Sequence, residues 1–300
     1  MTSVAVMMSV HNGEEYLTEQ IESILVQQGV DVALYIRDDG SAKPARCLLA
    51  RYAADHANIH VTHGPNLGIK DSFLYIVHEV PLTYDYYAFS DGDDVWLPEK
   101  LASAVALLSA QDPAVAQAYC SQITLVDKTL KFIGYGRPLN RPITFRNALI
   151  EGRMSGATAV FNRTLVGIAK RLNYRDANMH DTWMNLIAAG FGNVHFDPQS
   201  YILYRQHGSN ADGGIRTAGQ SWRGRFARAA LFRRFARQGQ TFLMQVHDQL
   251  SADKKDALER LVRYGNGNLS GLRFFFDRDF EYQRGLSKLV TALALLSKSK

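Results

Sequence analysis

Two cysteines, Cys47 and Cys120, are all that 300 residues contain. That is too few for a disulfide framework and fits a reducing, cytoplasmic setting. No cationic stretch precedes the apolar start Met1 to Val10, which runs straight into His11-Asn12-Gly13, so the reading is against a signal peptide. The longest late apolar run, Leu289 to Leu296, includes Thr291 and falls far short of the roughly 20 residues a bilayer span needs. Internal repeats and low-complexity tracts are also missing. What is present is a globular composition, 46% hydrophobic, enough for one large domain or a domain with an appendage. Charge is unevenly spread. Residues 1–210 hold 17 Lys and Arg against 21 Asp and Glu, whereas residues 211–300 hold 17 against 8. The basic C-terminal part points to an acidic partner, nucleic acid or an anionic membrane surface.

The first 130 residues alternate between strand-like and helix-like segments. Strands are predicted over Val4–Val10, Val32–Ile36, Ile59–Thr62 and Tyr86–Ser90, and helices over Glu14–Gln28, Ala45–Ala54, Gly68–Val80 and Pro98–Ser109. Repeated β-α units make a mostly parallel sheet with right-handed crossovers. Beyond Ala114 the pattern is mixed, with strands predicted at Ala157–Phe161 and Tyr201–Tyr204 and a helix at Asp181–Ala189. After Gly208 the chain is Arg-rich and helical. The expected division is an α/β domain over 1–215 and a basic helical extension over 216–300.

The fourth strand ends on three carboxylates in four residues, Asp91, Asp93 and Asp94. Two carboxylates about 4 Å apart repel by about 4 kcal/mol at an effective dielectric of 20. A cation or a cation-bound phosphate at the strand tip would offset that cost. Mg²⁺ is usually held by one or two carboxylates plus substrate phosphates, and ligands of open α/β sheets bind at the carboxyl ends of strands. An EF-hand is excluded because Val95 stands where an oxygen ligand is required. The other three strand ends are polar too: Ser9-Val10-His11-Asn12-Gly13, Asp38-Asp39-Gly40, and Gly64-Pro65-Asn66-Leu67-Gly68, the last opening a helix whose N-terminus favours anions. Four polar strand ends in order, the last acidic, outline a nucleotide cleft.

The strings Met8–Leu17, Ile36–Ser41, Asn66-Leu67-Gly68 and Phe89–Pro98 resemble the family-2 glycosyltransferases, and within them the rhamnosyltransferase-like enzymes of bacterial surface polysaccharide assembly. The resemblance covers about residues 3–210. It implies a GT-A fold, a nucleotide-sugar donor (dTDP- or UDP-linked), a divalent Mg²⁺ or Mn²⁺ at the Asp-x-Asp motif, a glycan or lipid-linked glycan acceptor, and inversion. It implies Asp39 on the nucleobase with His11 beside it, Ser9, Asn12, Asn66 and Gly68 around the donor, Asp91 facing ribose or sugar, and Asp93 on the metal. Two departures stand out: His11 where many relatives have Tyr, and Gly92 where close relatives carry a bulkier residue, which widens the donor site.

An acceptor hydroxyl needs a base, and Asp181 is the candidate, in Asn178-Met179-His180-Asp181-Thr182-Trp183. A helix-capping role for the same aspartate stays open. His180, Trp183 and Gly156 are candidates for the acceptor side, with core packing or a tight strand entry as the alternatives. Arg205 and His207, in Tyr204-Arg205-Gln206-His207-Gly208-Ser209-Asn210, offer donors to a diphosphate, and His207 a further metal ligand or an ordinary loop histidine. The arginine-rich stretch Ser221 to Arg237 is open to contact with an anionic membrane surface or to a solvated helix face; nucleic acid has no support beyond charge. Two rival functions remain. A nucleotidyltransferase usually opens with a glycine-rich basic loop, which Ser9-Val10-His11-Asn12 is not, and a non-catalytic sugar-nucleotide-binding protein would have no use for Asp91, Asp93 and Asp181 together.

Overall fold

β1 (Thr2–Val10) is almost wholly apolar because both of its faces are covered. Val4, Val6, Met8 and Val10 enter one hydrophobic cluster, Ala5 and Met7 the other. In the computed structural model, which describes residues 1–139, 141–207, 222–266, 270–282 and 285–296, the chain continues as α1 (Glu14–Leu25), β2 (Val30–Asp39), α2 (Lys43–Asp55), β3 (Ile59–Gly64), α3 (Ile69–Glu79) and β4 (Tyr86–Ser90). This is the predicted alternation. β1 lies between β2 and β4, parallel to both, and β3 extends the sheet beyond β2.

After β4 come β5 (Val95–Trp96), α4 (Lys100–Ser109), β6 (Ala116–Val126), β7 (Phe132–Tyr135), α5 (Phe145–Ala148), β8 (Val160–Asn162), α6 (Arg163–Ala169), α7 (His180–Phe191) and β9 (Gly192–Arg205). The strand order is β3-β2-β1-β4-β8-β6-β9-β5, with β7 alongside β6. Following the pairings, β1, β2, β3, β4, β6 and β9 run one way, and β5, β7 and β8 the other. The fold is a mostly parallel α/β sheet of GT-A type with helices on both faces.

The C-terminal region is helical: α8 (Trp222–Val246), α9 (Ala252–Asn266), α10 (Ser270–Phe276) and α11 (Gly285–Leu296). Phe232, Phe242, Leu258, Phe274 and Leu295 belong to the same apolar cluster as Trp183, Leu186 and Ile187 of α7. On α8, Phe232 and Phe235 are buried while Arg233, Arg234 and Arg237 are exposed, along with Leu231 and Met244. The side chains of Trp222 and Phe226, and Gly208, Ser209 and Asn210 altogether, lie outside the described residues, as does the expected boundary at 215/216. No helix among the described residues is long and apolar enough to cross a membrane.

Candidate active site

The turn after β1 needs left-handed backbone at two successive residues, Asn12 (φ 60) and Gly13 (φ 79). Asn and Gly tolerate this conformation best. Asn12 then ties the turn to the end of β2: its N–H donates to Ser41 Oγ (2.8 Å), and its side-chain oxygen accepts from Ala42 N (2.7 Å). His11 Nδ1 donates to the Asp39 carbonyl oxygen (3.0 Å), and Ser9 Oγ meets Ser72 Oγ of α3 at 2.6 Å. Asn66 also reaches the His11 ring, at 3.2 Å. The structure therefore brings Ser9, His11, Asn12, Asn66 and Gly68 to one edge.

Strand alternation splits the Asp38-Asp39 pair. Arg37 and Asp39 face α3 and form a buried ion pair. The Asp39 carboxylate also accepts from Leu67 N (2.8 Å) and Gly68 N (2.9 Å), while Arg37 donates to Ser72 Oγ and the Pro65 carbonyl. The Asp39 carboxylate, expected at the nucleobase, is buried here and engaged in shaping the Asn66–Gly68 turn. Asp38 points the other way, accepting from Ser41 N and from His63 Nδ1, each at 2.8 Å. Burial would raise its carboxyl pKa, but hydrogen bonds from His63 and Ser41 outweigh that and hold it below the ordinary value.

Ser90 at the tip of β4 pairs in register with Met8, so the acidic cluster emerges beside Ser9. Asp93 Oδ2 accepts from His207 Nε2 at 2.8 Å, and both groups keep part of their surface in solvent. A cation there has one carboxylate and one imidazole to bind, with Asp91 nearby in sequence. Among the described residues no group of three or more His, Cys, Asp or Glu side chains is gathered closely enough to hold a metal alone. The arrangement suits an ion completed by substrate phosphates. Gly92 is not demanded by packing, since a Cβ there would lie 3.6 Å from Leu17 and 3.7 Å from Val10, ordinary contacts.

Asp94 is fully buried. Burial first, then the charges of Asp91 and Asp93, push its carboxyl well above the usual range. Its Oδ1 accepts from Arg205 N at 3.1 Å. Lys100, equally buried, sits 3.6 Å over the Trp96 ring, a cation–π contact, and burial lowers its ammonium to about 7 against the opposing pull of Asp94. Trp96 thus packs in the core.

Arg205 is held by protein groups around the acidic loop. Its guanidinium is 2% exposed, donating to the carbonyls of Asp93 (2.8 Å) and Lys128 (2.7 Å) and pairing with Glu19 of α1. Tyr16, one helical turn earlier, lies 4.5 Å under that guanidinium and 5.1 Å from the His207 ring. Arg205 is a brace between α1 and the acidic loop.

Asp181, the expected base, lies in the first turn of α7. The Thr182 hydroxyl ties the start of α7 to the Met179 backbone, accepting from Met179 N (3.1 Å) and donating to the Met179 carbonyl (2.9 Å). Asp181 Oδ1 accepts from Thr182 N at 2.6 Å. His180 is stacked on Phe73 (ring centroids 4.1 Å) and edge-on to Phe89, two residues before Asp91, which sets the start of α7 beside the tip of β4. Burial pulls the His180 imidazole down to about 3, so it is neutral, and its Nδ1 has no hydrogen-bond partner among the described residues. A Cβ on Gly156 would come within 2.8 Å of His180 Nε2 and 3.5 Å of Asp181 Cβ, so only glycine fits beside that pair. Trp183 is not brought to a pocket wall. Its indole is 1% exposed and edge-on to Phe242 of α8, because its helix position faces the C-terminal helices.

Comparison with known proteins fits this arrangement. The family model described as Glycosyl transferase family 2 matches residues 5–167. The dTDP-rhamnosyl transferase RfbG of Shigella flexneri is 27% identical over 247 residues, 75% of this chain and 79% of that protein. The solved structure of S. aureus TarS 1-349 in complex with UDP-GlcNAc is similar at TM-score 0.57 and 13% identity, over 99% of this chain and 90% of that one. The mannosyltransferase PcManGT from Pyrobaculum calidifontis, solved with GDP-Man and Mn²⁺, is similar at TM-score 0.52 and 15% identity, over 97% and 85%.

Proposed function

From the premise that the chain belongs to glycosyl transferase family 2, we propose that it moves a sugar from a nucleotide-diphosphate donor to a hydroxyl of a glycan or lipid-linked glycan, with inversion, in bacterial surface polysaccharide synthesis. The observation that supports this best is the pairing of Asp93 with His207 at the tip of β4, next to the helix start that bears Asp181. The relative's dTDP-rhamnosyl name favours a dTDP- or UDP-linked sugar, dTDP-rhamnose first. Residues 1–215 would hold both substrates, on the cytoplasmic side, and residues 216–300 would support the acceptor side through α7.

Asp181 takes the proton of the acceptor hydroxyl, a role typically worth 10²–10⁴-fold. The acceptor oxygen attacks the anomeric carbon from the face opposite the nucleotide, and the bond to the diphosphate breaks in the same displacement. Asp93 and His207 would hold the divalent ion, Mg²⁺ or Mn²⁺, which when bound offsets charge on the departing diphosphate. Asp91 faces the donor's ribose or sugar. His180, neutral and wedged between Phe73 and Gly156, fixes the start of α7 and hence the position of Asp181.

A transfer assay with dTDP-rhamnose and a lipid-linked glycan, following nucleotide release, tests the reading. Asp93→Ala and Asp181→Ala should both abolish transfer. Transfer at the wild-type rate by Asp181→Ala would remove that residue from the mechanism. Release of pyrophosphate from a sugar phosphate and a nucleotide would instead support the nucleotidyltransferase alternative.

A further inference from the structure

Building on the transferase reading, we propose that Phe132 and Tyr135 of β7 form an aromatic platform for a sugar ring of the acceptor, one ring removed from the reacting hydroxyl. The acceptor is then a glycan of at least two rings. Phe132 and Tyr135 are 56% and 66% exposed, yet their rings meet edge to face at 5.3 Å between centroids. Together they make one exposed apolar patch, the kind of surface that marks a ligand groove.

Strand pairing decides where the rings stand. β9 occupies one edge of β6, so β7 and β8 share the other. β8 pairs with β6 at Ala118 and Tyr119, and β7 further along, at Thr124 to Val126. β7 therefore lies at the end of the sheet where β4 delivers the acidic cluster. The turn that precedes it is tied there, since Arg205 donates to both the Lys128 and the Asp93 carbonyls. Tyr135 lies opposite Thr124 and Phe132 opposite Val126, and directly opposed residues share a face. Along β6, Ala118 and Cys120 cluster with Trp183 and Leu186 of α7, whereas Tyr119 and Ile123 pack on the other side. Period-2 alternation puts Thr124 and Val126, and with them both rings, on the α7 face. That face carries Asp181. A short relay joins the two: Arg153 donates to the Pro138 carbonyl (3.1 Å), three residues after Tyr135, and its neighbour Gly152 lies against the methyl of Thr182, next to Asp181.

The same continuity selects the occupant. A molecule that offers its hydroxyl to Asp181 and extends past this relay brings its next unit to the rings. One side of a sugar ring is a surface of C–H groups, whose partly positive hydrogens suit the negative face of an aromatic ring. Tyr135 adds a hydroxyl that can donate to or accept from the sugar's own. An acyl chain would gain as much from leucine as from these two rings.

The full chain is applied to an array of monosaccharides and of bacterial surface oligosaccharides with two or more rings. The wild type should bind at least one oligosaccharide about tenfold more tightly than any monosaccharide, and Phe132→Ala with Tyr135→Ala should lose that tenfold. Affinity for dTDP-rhamnose and the circular dichroism melt should stay unchanged. Phe132→Leu with Tyr135→Leu should lose the preference too, and Tyr135→Trp should keep it. Failure to bind any oligosaccharide, or equal binding of monosaccharides, overturns the proposal. So does a leucine variant that binds like the wild type, which would assign the patch to an aliphatic chain, or a wild-type dimer that Tyr135→Ala converts to monomer, which would assign it to a second copy. In each of these cases Mn²⁺-dependent binding of dTDP- or UDP-sugar leaves the transferase reading standing. A wild type that binds neither nucleotide-sugar fails that reading, and the platform with it.

Discussion

Replacing His180 by Phe should remove a defined part of the protein's sensitivity to acid. The imidazole is buried against Phe73 and Phe89, and its pKa is about 3 in place of the ordinary 6.5. A base whose folded pKa is depressed takes its proton in the unfolded chain first. Its contribution is therefore unchanged above pH 6.5 and turns against folding as pH falls from 6.5 toward 3. Between pH 6.5 and 5 this amounts to about 2 kcal/mol, at 1.36 kcal/mol per pH unit. Phenylalanine keeps the aromatic stacking and cannot titrate. Thermal melts of wild type and His180→Phe across pH 5 to 8 would measure it, since the other acidic and basic groups are common to both. Whatever the offset at neutral pH, the wild-type melting temperature should fall relative to that of His180→Phe by about 4 °C on acidification to pH 5, at about 2 °C per kcal/mol. Parallel curves would refute the claim that this imidazole is buried and neutral.

Three further outcomes are expected. Arg205→Ala removes two charge-assisted bonds to the Asp93 and Lys128 carbonyls; the half-exposed Glu19 adds little. The loss should be about 3 kcal/mol, or about 6 °C in melting temperature, and Arg205→Lys should recover less than half because a lysine lacks the guanidinium fork. Gly40→Ala places a Cβ 2.9 Å from Asn66 N on a backbone with φ of +81°, and should cost about 2 kcal/mol and raise KM for the donor more than it lowers kcat. Asp181→Asn keeps an oxygen to accept from Thr182 N, so kcat should fall about 10²–10⁴-fold with donor affinity and melting temperature unchanged.

The first four β-α units were legible because each strand is an apolar run covered on both faces and each helix shows its own periodicity. β6 was not, because a central strand with Gln117 and Ser121 among its buried residues shows neither a clean run nor an alternation. β9 was recognised only over Tyr201–Tyr204, since Asp197-Pro198 interrupts it and its pairing with β6 shifts register there. In the site, the Asp-x-Asp string marked the strand tip unambiguously. The two faces of β2 could have been separated by period-2 alternation, which puts Asp39 with Arg37 and Asp38 with His63. The Glu19–Arg205 brace joins residues 186 positions apart and left no local signal. Trp183 sits at a helical spacing that serves core and pocket equally, and only the packing of α8 chose the core.

Titration calorimetry of dTDP-rhamnose into wild type, Asp93→Ala and Asp181→Asn, with and without Mn²⁺, addresses the central claim. Binding by the wild type should strengthen with Mn²⁺, binding by Asp181→Asn should do the same, and Asp93→Ala should lose the metal's effect. Equal affinity with and without the ion, or an Asp93→Ala protein that still responds to it, would contradict the assignment of the strand tip as a cation and diphosphate site.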